Sequence, residues 1–155
     1  MTIPAGATVN KAWIQFGASK KNSQSCNLNI FGEYSGNSAA FTTASGNVSS
    51  RTKTAAAIGW NPPSWTKVGD VSAAQKTPDL KTVVQEILGH SSWTSGNSMT
   101  FIITGSGTRD AYAYEGNALK SAQLVVEYTA PTGLKAGKIA EGSGDIQGIP
   151  GKGKL

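Results

Sequence analysis

Short runs of alternating hydrophobicity, broken by Gly, Pro, Ser or Asn, dominate this sequence, and only one stretch has a helical period. Residues 10–18, NKAWIQFGA, put Ala12, Ile14 and Phe16 on one side and Lys11, Trp13 and Gln15 on the other. A period of two marks a strand with one face buried. Residues 26–34 repeat the pattern with Cys26, Leu28 and Ile30, and 54–60 (TAAAIGW) form a third run that stops at Asn61-Pro62-Pro63. Residues 98–105 (SMTFIITG), 109–116 (RDAYAYEG) and 121–128 (SAQLVVEY) add further strand patterns. Links as short as Ser106-Gly107-Thr108 suit antiparallel hairpins. Residues 35–53, rich in Ser, Gly, Asn and Thr around Phe41 and Val48, read as a long loop with short extended pieces.

The exception is TPDLKTVVQEILGH, residues 77–90. Leu80, Val83, Val84, Ile87 and Leu88 form one apolar stripe at helical spacing. Thr77 as the cap, Pro78 at the first helical position and Asp79 near the positive end predict the start, and Gly89 predicts a left-handed stop. Six or seven strands with one short helix predict an all-β chain. The expected architecture is an antiparallel β-sandwich, jelly-roll-like, with the helix over one open end or face. The sandwich is placed at 1–128 and an extended tail at 129–155.

The tail changes composition to Gly, Lys, Ile and Pro, with Gly at seven of the last 23 positions. Alone, such a segment buries too little to order itself. Ordering costs about 1–2 kcal/mol per residue, which the apolar side chains of Leu134, Ile139, Ile146, Ile149 and Leu155 do not offset on their own domain. Neighbouring subunits would, so these residues are the expected subunit contacts.

Composition narrows the function. Charged residues are 15% of the chain, against about 25% in ordinary globular proteins, a profile of loop-rich extracellular or virion-type proteins. The net charge of +5 invites nucleic acid, but Arg occurs only at 51 and 109, and Lys20–Lys21 is the only adjacent basic pair. That is not the clustered Arg and Lys of phosphate recognition. One cysteine, Cys26, excludes an internal disulfide framework and reads as a small buried hydrophobe. The opening MTIPAG has no basic region followed by an apolar one, so no secretory leader is expected, and Asn47-Val48-Ser49 would be a glycosylation acceptor only in a secretory setting. No apolar run approaches the ~20 residues that span a membrane.

Catalysis finds little support. His90, the only histidine, stands four residues from Glu86, but acid–base work needs a pocket and a third partner, and a metal needs more ligands. His90 reads instead as a helix-end histidine. The nine acids show no spacing that singles out a glycosidase pair. The expectation is no enzyme and no cofactor. The one metal considered is a structural calcium on Asp70, Asp79, Asp110 or Asn97, and no D-x-D-x-D loop gathers them. Sugar binding would use exposed aromatics with polar neighbours. The candidates are Trp65 and Trp93 in loops, and Tyr112 or Tyr114 beside Arg109, each weighed against core or loop packing. Trp60, ending an apolar strand, reads as core.

Several segments together, IPAGATVNKAWIQF (3–16), FTTASGNVSSRTKTAAAIGW (41–60), the stretch 77–116 and AQLVVEY (122–128), resemble a jelly-roll module of large secreted bacterial proteins. This is the carbohydrate-binding-module-like, DNRLRE-type module. The resemblance covers about residues 3–128 and implies a non-catalytic β-sandwich for binding or surface display, without settled ligand residues. It also implies a strand before IPAGAT, which a neighbour would have to supply here, and it does not extend to the tail. The expected role is therefore a structural subunit of a repetitive surface assembly. It would be a capsid decoration protein or an extracellular fibre protomer, at a virion surface or outside the cell. Its partners would be copies of itself or a major capsid or fibre protein. The alternative is a carbohydrate-binding module of a secreted enzyme or adhesin, with glycans as partners.

Overall fold

The computed structural model describes residues 1–132 and the backbone of Ala140 and Glu141. The chain is mostly β. Strands β1 (Thr8–Gln15), β2 (Asn27–Glu33) and β3 (Lys53–Trp60) precede a single helix, α1 (Lys81–Leu88). Strands β4 (Phe101–Ser106), β5 (Gln123–Thr129) and the two-residue β6 (Ala140–Glu141) follow. They build two antiparallel sheets, ordered β1-β5-β6 and β3-β2-β4.

The two sheets and the helix share one core. Ala12, Ile14, Leu124 and Val126 come from the first sheet, and Ile30, Trp60 and Phe101 from the second. The predicted stripe of α1 is buried in full at Leu80, Val83, Val84, Ile87 and Leu88, so the helix closes one end of a β-sandwich-like body, against β1, β2 and β3. Gly32 of β2 lets it approach, because a Cβ there would stand 2.5 Å from Ile87 Cδ1. In β1 the register shifts between Val9 and Lys11. This bulge explains why Val9 and Ala12, three residues apart, both point into the core.

The outer edge of β1 is covered without a partner strand. The Val9, Ala12 and Ile14 amides donate to Gln85 Oε1 at 2.8 Å, Asp79 Oδ1 at 2.9 Å and Thr77 Oγ1 at 2.9 Å. Phe16 donates to the Gln75 carbonyl at 2.9 Å, and Leu80 and Thr77 donate back to Ala12 and Ile14. Side chains of the segment before α1 thus replace a ladder.

That arrangement corrects the predicted helix ends. Thr77 does not cap α1, because its hydroxyl serves Ile14. Asp79 accepts from the Lys81 amide at 3.0 Å, and the helix starts two residues after it. Gly89 has φ −76° and is right-handed, not the expected left-handed stop, and its amide still donates to Gln85. Residues 109–116 are not a strand. Ala111, Ala113 and Glu115 offer no apolar face to bury, so the segment makes one bridge, Ala111 with Ala18, and then turns. The 98–105 strand begins only at Phe101. Leu134, Ile139, Ile146, Ile149 and Leu155 lie outside the described residues. Among the described residues no helix is long and apolar enough to cross a membrane.

Candidate functional site: the cleft opposite the helix

At the end of the body away from α1, the two sheets part around a cleft of about 330 Å³. Its walls include Phe16, Leu28, Trp60, Trp65, Ile103 and Arg109. Phe16 and Trp60 stack with centroids 5.6 Å apart and planes 13° from parallel. Trp65 leans on Phe16 at 6.4 Å. Ile103 faces inward, level with the fully buried Ile30, yet is 40% exposed because nothing closes this end over it.

Loops frame the opening, and Arg109 ties them together. Its Nε donates to the Pro63 carbonyl at 3.1 Å, Nη1 to Gln24 and Thr108 at 2.9 and 2.6 Å, and Nη2 to Pro62 at 2.8 Å. A guanidinium presents five donors in a rigid fork, and here that fork joins three loops. Asn22 is the second hub. It exchanges both backbone bonds with Trp65, donates from its amide to Asp110 Oδ2 at 2.9 Å and accepts from the Asp110 amide at 2.9 Å. The Asn22 amide is the main cause that holds the Asp110 carboxyl below the usual carboxylate range. Partial burial works against it, and the Lys20 ammonium, 3.4 Å away, adds to the lowering.

The residues singled out for sugar binding divide between the two ends. Trp65 and Arg109 meet in the cleft, and Tyr112, one residue beyond the cleft-lining Ala111, donates its amide to Gly17. Trp93 lies at the helix end, where its indole donates to Ile3 at 3.2 Å. Trp65 donates to Ala74 at 3.0 Å. At 1% and 2% exposure, Trp65 and Trp93 have no ring face on the surface. They take the packing role.

Glu86 and His90 do not act on each other. The Glu86 carboxylate accepts from the Ala55 and Ala56 amides at 2.7 and 2.8 Å, so it caps the outer edge of β3. His90 Nδ1 lies 2.9 Å from Ser92 Oγ, and its ring meets Tyr34 edge-on at 5.0 Å. Of the oxygen donors considered for calcium, Asp79 accepts two amides, Asp70 meets Ser72, Asp110 meets Asn22, and Asn97 holds Thr94. No three His, Cys, Asp or Glu side chains gather among the described residues.

Sequence reasoning missed Asn22, the Arg109 fork and the Phe16–Trp60 stack. The alternation in 10–18 and the apolar end of 54–60 carried a signal for the stack. Nothing in KKNSQS marks Asn22. Comparison of the chain with protein-family models, curated proteins and solved structures returns no match.

Proposed function

We propose that this chain is a non-enzymatic structural subunit, a jelly-roll-like building block of a repetitive surface assembly. A capsid decoration protein or an extracellular fibre protomer is the form that its low charge and sequence resemblance favour. One observation carries the reading. The groups best suited to chemistry or sugar stacking serve the fold itself: Arg109 holds four carbonyls, Glu86 and Asp79 each hold two amides, and Trp65 and Trp93 are buried. What the molecule leaves outside is apolar. Leu119 is 86% exposed, and its neighbour Lys120 reaches the Gly69 carbonyl, between exposed Val68 and Val71. Such a patch suits packing against a partner more than solvent. The tail serves as a further arm between subunits.

The Leu119→Asp variant tests this. It should keep the circular dichroism spectrum and lower the oligomeric fraction at least tenfold. An unchanged mass distribution would remove the patch from the account.

A second reading, carbohydrate binding, is favoured by the cleft alone, where an aromatic stack adjoins Arg109. A polysaccharide panel decides it. Binding that Phe16→Ala weakens tenfold in a folded protein would establish it, and silence across the panel would end it.

A further inference from the structure

The two edges of the first sheet are treated differently. The outer edge of β1 is covered by Gln75, Thr77, Asp79 and Gln85. The outer edge of β5 has no such cover among the described residues. β6 pairs there with Val125 and Val126 only, out of the seven residues of β5. An edge left with free backbone donors and acceptors is a template for another strand.

We propose that the outer edge of β5 is a strand-acceptor site, and that its occupant in the assembly is the segment around Ala140–Glu141 of a second copy of this chain. The antiparallel register, Val125 with Glu141 and Val126 with Ala140, shows that this segment fits the edge. Backbone pairing is blind to which copy donates the strand, so exchange between copies keeps every bond. The link between Thr129 and Ala140 is ten residues long, 130–139. Fully extended it spans up to about 33 Å, enough to cross to an adjoining molecule. Pairing at two positions gives little to retain the segment on its own chain, and exchange of one element between identical protomers is a low-cost route to assembly. The acceptor strand is itself well held, with β1 paired along its other side from Gln123 to Thr129.

This inference rests on the structural-subunit reading, and the test separates the two. A nitroxide is placed on full-length Cys26→Ala/Glu141→Cys at natural isotopic abundance. It is mixed with an excess of ¹⁵N-labelled parent chain, so any broadening of labelled amides arises between molecules. The Val125 and Val126 amides should lose at least half their intensity relative to the diamagnetic control, while amides of α1 keep theirs. The first variant alters only Cys26 in the described body, and its circular dichroism spectrum checks folding. Should Cys26→Ala fold poorly, the label goes on Glu141→Cys alone, with buried Cys26 left unreacted. No broadening on β5 in a sample that light scattering shows to be oligomeric would overturn the acceptor site and leave the subunit reading standing. A sample that stays monomeric at every concentration would overturn both.

Discussion

Arg51 donates to Glu33 at 2.7 Å, and their side chains are only 7% and 14% exposed. The same guanidinium reaches the carbonyls of Asn47 and Ala40 and lies 4.3 Å from the centre of the Phe41 ring. One buried cation therefore fastens the 40–51 loop onto β2. Removing one partner of a buried pair leaves the other charge uncompensated, at a cost of about 3–5 kcal/mol. Arg51→Ala and Glu33→Ala should each lower unfolding free energy by about that much, and the double variant by much less than their sum. Denaturant unfolding of the three variants measures the coupling. Arg51→Lys should not restore stability, because an ammonium lacks the fork that serves three acceptors.

Glu86 makes a separable prediction. Its carboxylate joins α1 to the amides of Ala55 and Ala56. Glu86→Ala should cost about 2 kcal/mol, the scale of bonds to a charged acceptor near the surface. Hydrogen exchange should locate the loss, with the Ala56 amide exchanging faster than those of Ile30 and Val126. If Glu86 were poised for chemistry, the same substitution would leave β3 protection unchanged.

Asp110 sets an acid limb. Its pKa is lowered in the folded state, chiefly by the Asn22 amide. Its stabilising contribution is therefore present above the unfolded carboxylate pKa and is lost as pH falls through the lower folded value. Asn22→Ala should raise the Asp110 pKa toward its ordinary range and flatten stability across that window. Carboxyl NMR titration reads the shift directly, and an unmoved Asp110 would contradict the assignment.

Two buried hydroxyls predict the opposite sign. Ser38 Oγ and Thr100 Oγ1 have no hydrogen-bond partner, and both residues are almost fully buried. Replacing a buried hydroxyl that makes no bond by an apolar group removes a penalty. Thr100→Val should be neutral or stabilising by up to about 1 kcal/mol, seen as an unchanged or higher denaturation midpoint.

Much of the architecture was legible because burial is periodic. The stripe from Leu80 to Leu88 named the buried face of the only α-helix among the described residues, and the alternation around Ile14, Ile30 and Val126 named both sheets. The polar frame was not legible, because its partners are distant in sequence. Asn22 and Asp110 are 88 positions apart, and Thr77 and Ile14 are 63 apart. Local rules assigned Thr77 to its own helix, whereas the exposed edge of β1 claimed its hydroxyl. The alternation in 109–116 misled because Ala111 and Ala113 are too small to anchor a buried face. The aromatic candidates show the same limit: period and loop position cannot tell a surface ring from Trp65, whose indole finds the Ala74 carbonyl inside the fold.

The central claim is that this chain works as one of many copies. Multi-angle light scattering on the full chain, over a wide concentration range, tests it most directly. The account predicts species at multiples of 16.0 kDa, growing with concentration. A single species at the mass of one chain across the whole range would contradict it.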